Sequence, residues 1–229
     1  MNRRRLLAAL ALAPLAARAA TDAPASPSLP GRVDVARLPT PGTYRLPRVM
    51  RAPDGRVLGA DGRAARLHDV LRGRLSVVSF MYTYCRDPQG CPRAWAAMDA
   101  LHAALRADPG LAARAQLVSV SFDPTHDTPE EMRFFAGNRA RGSDVRWHFL
   151  TTPSVSALLP LLRGFGQDVT VETDAAGRPT RTLNHLLKVF LVDGQCEVRE
   201  IYSVATLDPQ ALLNDLRTLQ MEANAATTP

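Results

Sequence analysis

The sequence predicts an α/β protein in which one mixed sheet is flanked by helices. Short, almost continuously apolar runs alternate with segments that place an apolar residue every three or four positions, which is the order of strands joined by helices. Cys85 follows one apolar run, and Cys91-Pro92 opens the next helical segment. A strand that delivers a cysteine to a helix N-terminus is typical of a thioredoxin-like fold. The 229 residues are enough for one such domain, which we place at 42–222.

The first 19 residues are predicted to be an export signal. Arg3, Arg4 and Arg5 precede an apolar stretch over 6–17, and Ala17-Arg18-Ala19 has the small-x-small pattern of a signal peptidase site. Twelve apolar residues are short for a spanning helix, so we expect cleavage, with an uncleaved N-terminal anchor as the alternative. The expected location is the periplasm, with the protein held at the inner membrane if the signal is retained.

The charge of the chain does not indicate a nucleic-acid partner. The formal net charge is +6, but residues 1–19 hold four arginines and no acid, so the remaining chain has 24 basic and 22 acidic residues. A nearly balanced domain lacks the basic excess of a polyanion binder. Residues 20–41, rich in proline, alanine and serine, are predicted to be a flexible linker, and residues 223–229 a disordered tail.

The domain is predicted to begin with a β-hairpin and a buried strand. Asp54-Gly55 and Asp61-Gly62 each stand beside short extended runs, a pattern typical of hairpin turns. The next segment, 74–84, is almost continuously apolar, which suits a strand covered on both faces.

Strands and helices are then predicted to alternate. A helix should begin after Cys91 and end near residue 108, and a second should begin at Thr128-Pro129 with Met132, Phe134 and Phe135 on its apolar face. The other predicted elements are strands at 116–122 and 147–150, a helix at 155–165, two strands at 186–192 and 197–203 joined by Asp193-Gly194, and a last helix over 209–221.

Cys85 and Cys91 form the main candidate site. Five residues separate them, and the turn-forming pairs Asp87-Pro88 and Gln89-Gly90 can bring the two sulfurs together. Because Cys91 precedes the helix, the free N–H groups and dipole of that helix are expected to make Cys91 the more acidic thiol. Cys196 follows a turn and is expected to be a partly buried free thiol.

The spacing of the pair leaves three interpretations open: a reversible disulfide, a structural disulfide, or two ligands of a soft metal ion that needs a third ligand. Histidine is the obvious third donor. Asn184-His185 opens a predicted apolar strand, so the imidazole can lie at the sheet edge that faces the cysteine loop. The other four histidines, His68, His102, His126 and His148, are expected to face solvent or cap elements.

Three segments resemble the Sco/SenC family, thioredoxin-fold proteins that assemble the copper centre of cytochrome c oxidase. The first runs from Val77 to Pro92 and contains both cysteines. The second, Ser119 to Glu130, is similar to the family's strand followed by an Asp-Pro-x-x-Asp-Thr helix start. The third, Asn184 to Gly194, is similar to its histidine, strand and hairpin turn. Together they cover about residues 44–220.

The resemblance implies a copper-binding metallochaperone that binds Cu(I) or Cu(II) through Cys85, Cys91 and His185 and delivers the ion to an oxidase subunit or another copper- or thiol-exchange protein. Such a protein is not a turnover enzyme. Asp123 matches an acid that lies near the family's site, where it can orient the ligands; as a residue at a strand end it can equally be a turn former. The family usually places three residues between its cysteines, whereas this chain places five. A periplasmic thiol–disulfide oxidoreductase that reduces cysteines of a partner is therefore the alternative function.

Overall fold

The computed structural model describes residues 33–140 and 145–225. The predicted export signal lies outside these ranges, as do residues 20–32 of the predicted linker and 226–229 of the predicted tail. The end of the predicted linker is ordered against the domain: it forms a 3-10 helix over Val35–Arg37, and the Asn214 side-chain amide donates to the Pro39 carbonyl at 3.1 Å.

The protein is a mixed sheet with helices packed on it. The strands are β1 Met50–Arg51, β2 Arg56–Gly59, β3 Ala64–Arg66, β4 Leu75–Met81, β5 Ala115–Ser121, β6 Arg146–Thr151, β7 Val169–Thr173, β8 Pro179–His185, β9 Val189–Val192 and β10 Glu197–Tyr202. The helices are α1 Leu67–Leu71, α2 Cys91–Arg106, α3 Pro109–Ala112, α4 Pro129–Ala136, α5 Val155–Gly164 and α6 Pro209–Ala225, with a further 3-10 helix at Gly137–Ala140.

Eight strands form one sheet in the order β1-β10-β9-β4-β5-β6-β2-β3, and β7 and β8 form a separate hairpin. The central strands β4, β5 and β6 are parallel, and β9 runs antiparallel to β4. Every residue of β4 and β5 is buried, because helices cover both faces of the sheet. The predicted mixed sheet is therefore confirmed, and the carboxyl ends of its parallel strands share one edge.

The predicted N-terminal hairpin is confirmed at one of its two turns. β2 and β3 pair antiparallel across Asp61-Gly62, and Gly62 has a φ of 82°, which glycine adopts without strain. Asp54-Gly55, in contrast, joins β1 and β2, which do not pair with each other: β1 pairs with β10, and β2 with β3 and β6. The prediction of a hairpin at Asp54-Gly55 was wrong, because a turn-forming pair of residues does not determine which strands pair on either side of it.

The helix starts follow their predicted signals. The Thr128 hydroxyl accepts from the Glu131 amide at the start of α4, and the Asp208 carboxylate accepts from the Gln210 and Ala211 amides at the start of α6. α6 ends at Ala225, four residues beyond the predicted end.

The predicted apolar face of α4 was wrong at one position. Met132 is buried and Phe135 packs against the core, but the Phe134 side chain is 86% exposed. Residues 132 and 134 are about 200° apart around a helix, so one face cannot bury both.

The segment between α5 and β9 differs from the prediction. β7 and β8 form a hairpin around an Asp174 turn in which the Gly177 amide donates to the Asp174 carbonyl at 2.9 Å. His185 is the last residue of β8, and the following strand begins only at Val189, not at Leu186.

Cys196 lies at the opposite end of the sheet from Cys85 and Cys91. It follows β9, whose last residue Val192 pairs with Ser76 near the start of β4, whereas Cys85 lies beyond the end of β4. Cys196 is buried, with 1% of its surface exposed, and its backbone has a φ of 64°.

Among the described helices, none has both the length and the apolar character needed to cross a membrane.

Candidate metal centre

Cys85 is positioned by the extension of β4. The chain leaves the strand at Met81, and the Cys85 amide donates to the Tyr82 carbonyl at 3.2 Å, which turns the backbone across the end of the sheet. The loop then folds back: the Asp87 carboxylate accepts from the Gln89 amide at 3.0 Å, and the Gly90 amide donates to the Asp87 carbonyl at 3.0 Å. This five-residue loop returns the chain to within reach of Cys85.

Cys91 is the first residue of α2, with Pro92 behind it in the first turn. Its side chain is 2% exposed, and the interaction of its thiol with that of Cys85 shifts the pKa of both groups. Both cysteines are free thiols in this structure. The two sulfurs are therefore brought together, as the turn chemistry of the loop predicts.

The acidity of the two thiols is the reverse of the sequence-based expectation. The hydrogen bond from Cys91 lowers the pKa of Cys85 to about 5, and hydrogen bonds from the Tyr82 hydroxyl and from the Cys91 and Asp87 amides add to this effect, although burial opposes it. The hydrogen bond with Cys85 and burial raise the pKa of Cys91. The expectation differs from the structure because the Cys91 thiol is buried and interacts with the Cys85 thiol, so that the more exposed cysteine is the one stabilised as a thiolate.

His185 reaches the cysteines from the end of the β7–β8 hairpin. Its Nε2 lies 3.9 Å from the Cys91 sulfur, and its Nδ1 donates to the Leu183 carbonyl at 3.0 Å. That hydrogen bond places the proton on Nδ1 and leaves the Nε2 lone pair directed at the sulfur. The ring is half-buried, with the Phe122 ring 4.5 Å and the Tyr82 ring 6.0 Å away between centroids.

Tyr82 joins the cysteine loop to the hairpin. Its hydroxyl interacts with the Cys85 thiol and with the Leu183 amide of β8, and both interactions shift its pKa. Burial, followed by the hydrogen bond with Cys85, raises the pKa of this phenol, so it remains a hydrogen-bond donor at neutral pH. One buried side chain thus ties Cys85 to the residue whose carbonyl orients His185.

Asp123 is connected to the cysteine loop through Tyr84. Its carboxylate accepts from the Tyr84 hydroxyl at 2.5 Å, and Tyr84 is the neighbour of Cys85 in the chain. Burial raises the pKa of Asp123, but hydrogen bonds from Thr125 and Tyr84 outweigh it, and the net effect is a lowered pKa. The Arg181 guanidinium of β8 lies 4.7 Å from the centre of the Tyr84 ring, which adds a second link between hairpin and loop.

None of the other four histidines, which all lie in the described part of the chain, contacts the cysteine pair, but His126 packs against Tyr84, the residue before Cys85. The His126 ring packs on Tyr84 at 4.7 Å between centroids, and its Nδ1 lies 3.1 Å from the Asp127 carboxylate. His68 contacts the Ala52 carbonyl, and burial lowers the pKa of His102 and of His148. The expectation of solvent-facing rings was wrong for His148, which lies in β6 and is largely covered, and for His68, whose side chain is 12% exposed.

Sequence reasoning missed Asp127. Its side chain is fully buried, and it accepts hydrogen bonds from Thr83, two residues before Cys85, and from Ser121 at the end of β5. The signal was available, because Asp127 belongs to the same Asp-Pro-x-x-Asp-Thr run as Asp123. An acid before a helix N-cap is ordinarily a surface residue, so its position alone does not predict burial.

The arrangement stops short of a complete three-ligand set. Within residues 33–140 and 145–225, no three His, Cys, Asp or Glu side chains are grouped so that they could hold a metal ion. Instead, Cys91 lies between the other two residues: its thiol interacts with the Cys85 thiol and lies 3.9 Å from His185 Nε2.

The fold and this site define a class: a thioredoxin-like protein with a cysteine pair and a histidine at the carboxyl edge of its parallel strands. The family model described as SCO1/SenC matches residues 56–220, most of the chain. The chain therefore belongs to the SCO1/SenC family, which confirms the resemblance seen in the sequence. A search of curated proteins found no match.

Solved structures of this family share the fold. A ScoI from Arabidopsis thaliana with copper bound is 16% identical, with a TM-score of 0.59, and the match covers 74% of this chain and 98% of that one. BsSco, described as a member of the Sco family of cytochrome c oxidase assembly proteins with a disulfide switch, is 21% identical, with a TM-score of 0.57 over 76% and 97% of the two chains. A SCO1/SenC family lipoprotein from Bacillus anthracis is 24% identical, with a TM-score of 0.60 over 75% and 95%.

Proposed function

We propose that this protein is a copper metallochaperone that binds the ion through Cys85, Cys91 and His185 and passes it to a subunit of cytochrome c oxidase. The observation that carries the proposal is the approach of His185 Nε2 to within 3.9 Å of the Cys91 sulfur, with the Nδ1 proton held by the Leu183 carbonyl. Family membership and the copper-bound Arabidopsis thaliana structure support the choice of metal.

The donor set fits copper. A thiolate sulfur and an imidazole nitrogen at typical first-row metal distances, arranged trigonally, are about 3.7 Å apart, close to the observed separation. Thiolates favour Cu(I) and imidazole tolerates Cu(II), so the set can hold either oxidation state. Binding through all three side chains requires the Cys85 sulfur to turn from its partners toward the imidazole, and the exposed loop at 86–89 provides room for this movement.

The low pKa of Cys85 favours uptake of copper near neutral pH. A ligand that is already a thiolate need not release a proton to the ion, and only Cys91 must do so. Asp123 would orient the loop through Tyr84 without contacting the metal.

The decisive experiment replaces the imidazole. Cu(I) affinity of the reduced protein would be measured by competition with a chromophoric Cu(I) chelator for wild type, His185→Ala and the matched control His102→Ala. We expect a loss of more than about tenfold for His185→Ala and less than about twofold for His102→Ala, since His185 lies against the Cys91 sulfur whereas the His102 ring packs on Trp147. Equal affinity of wild type and His185→Ala would contradict the three-ligand site.

The place and partner of the proposed function follow from the sequence prediction. We propose delivery in the periplasm, from a protein released by the signal peptidase or held at the inner membrane by its N-terminus. The BsSco description as an oxidase assembly protein supports an oxidase subunit as recipient.

A second candidate function is supported by the opposite pKa shifts of the two thiols. With a low pKa at Cys85, its thiolate can attack a partner's disulfide to form a mixed disulfide, which Cys91 then resolves by attacking the Cys85 sulfur. The partner leaves as a dithiol, and the protein retains the disulfide and has lost two electrons. A Cys85–Cys91 reduction potential below about −300 mV would identify a structural bond and contradict this activity.

A further inference from the structure

Asp127 is a buried acid at the base of the cysteine loop. It lies between Ser121, the last residue of β5, and Thr128, the N-cap of α4, and its side chain has no exposed surface. A carboxylate in that position must be stabilised by hydrogen bonds, since removing it from water is costly.

Donors from two strand ends and the neighbouring His126 ring, whose Nδ1 lies 3.1 Å from Oδ1, satisfy this carboxylate. The Thr83 hydroxyl donates to Oδ1 at 2.6 Å, the Thr83 amide donates to Oδ2 at 3.2 Å, and the Ser121 hydroxyl donates to Oδ2 at 2.6 Å. The Ser121 hydroxyl also accepts from the Asp123 amide at 2.9 Å. Asp127 therefore fixes the backbone beyond β4 to the end of β5.

Thr83 is the point at which this connection reaches the site. Its neighbour Tyr82 interacts through its hydroxyl with the Cys85 thiol and the β8 backbone. Its other neighbour, Tyr84, donates a hydrogen bond to the Asp123 carboxylate. Cys85 follows two residues later and turns back onto the Tyr82 carbonyl. The position of the Cys85 sulfur relative to Cys91 thus depends on where Thr83 is fixed.

We propose that Asp127 and Thr83 are positioning residues that set the distance between the two sulfurs and with it both disulfide stability and copper affinity. The copper part of this inference rests on the proposed function, whereas the disulfide part does not. Without the anchor, the Cys85 segment samples more positions, so the effective concentration of one thiol at the other falls.

The expected effect is a loss of about tenfold in that effective concentration. A tenfold weaker disulfide corresponds to a reduction potential about 30 mV less negative. Cu(I) affinity should fall by a similar factor, because both thiolates must meet at one ion.

The test replaces the threonine, because Asp127→Asn or Asp127→Ala leaves buried donors unpaired and can prevent folding. Thr83→Val keeps the shape and removes the 2.6 Å hydrogen bond, and Thr83→Ser restores the hydroxyl. Thr152→Val is the matched control, since Thr152 follows β6 and its buried hydroxyl donates to the Ser154 carbonyl at 3.0 Å. Reduction potential in a glutathione redox buffer, Cu(I) affinity by chelator competition and thermal stability would be measured for all four proteins.

We expect Thr83→Val to raise the potential by about 30 mV and to weaken Cu(I) binding about tenfold, with Thr83→Ser and Thr152→Val within about twofold, or about 9 mV, of wild type. A Thr83→Val protein that is merely less stable, with an unchanged potential, would overturn the proposal. Equal shifts in Thr83→Val and Thr152→Val would also overturn it, because general destabilisation would then be the cause. If wild type binds no copper, the proposed function fails, and the potentials still decide the positioning role.

Discussion

The unequal acidity of the two thiols predicts which cysteine reacts first. In the reduced, metal-free protein at about pH 6, iodoacetamide should modify Cys85 and leave Cys91 as a thiol. Cys85 has a pKa of about 5 and is partly accessible, whereas the Cys91 pKa is raised and its side chain is 2% exposed. A thiolate, not a thiol, is the nucleophile in this reaction.

The size of the effect follows from two opposing factors. At pH 6 a thiol of pKa about 5 is roughly 90% thiolate, whereas one at the ordinary value of 9.0 is roughly 0.1%, a gain of about 900-fold. The less basic thiolate is intrinsically slower by roughly 40- to 100-fold at a Brønsted slope of about 0.4–0.5. Cys85 in the folded protein should therefore react about 10 to 20 times faster than an unperturbed cysteine.

The assay is a timed alkylation series from about pH 4 to 9, quenched and analysed by peptide mass spectrometry. The urea-unfolded protein provides the reference rate for the same cysteine. In Cys91→Ala, the hydrogen bond that contributes most to the low pKa of Cys85 is lost, so the midpoint should move to higher pH. Preferential labelling of Cys91, or a Cys85 midpoint above about pH 8, would refute the assignment.

Two further predictions concern stability. Met132→Ala should lower the free energy of unfolding by about 2–5 kcal/mol, because it opens a cavity in the core. Phe134→Ser on the same helix should change it by less than about 0.5 kcal/mol, because Phe134 is exposed. Urea denaturation would measure both values, and a similar loss in both variants would contradict the burial pattern. Asp123→Asn should destabilise the protein at neutral pH: a lowered folded-state pKa contributes stability above the unfolded-state pKa that is lost as pH falls through the folded value. The difference in unfolding free energy between wild type and Asp123→Asn should therefore shrink below about pH 4, and a difference independent of pH would exclude the carboxylate charge as its source.

Local chemistry explains what the sequence could predict of the fold. Buried strands such as β4 and helix starts such as Thr128-Pro129 are specified by a few adjacent residues, and both were found where expected. The pairing partner of β1 was not predictable, because Asp54-Gly55 specifies a turn and not the strand that lies beside it. The hairpin of β7 and β8 was missed because most of its residues are exposed: the apolar alternation of β7 is limited to Val169 and Val171, and β8 has only Leu183 in a polar run.

The same limit applies to the site. Turn residues between Cys85 and Cys91 predicted that the sulfurs face one point, and the interaction of the two thiols is consistent with this. Which thiol is stabilised as a thiolate depends on the burial of each sulfur and on the path of the intervening loop, which residue types do not determine. The donors around Asp127 come from β4 and β5, about 40 residues apart in sequence, and only the parallel pairing of those strands brings them together.

The remoteness of Cys196 has a practical and a biological consequence. β4 alone spans about 20 Å between the two ends of the sheet, so the third sulfur cannot reach the other two without unfolding. Oxidation of the folded protein can therefore give only one intramolecular disulfide, the one between Cys85 and Cys91. The buried Cys196 thiol also reports on folding, since it should react with a thiol reagent only in molecules that have lost the native fold.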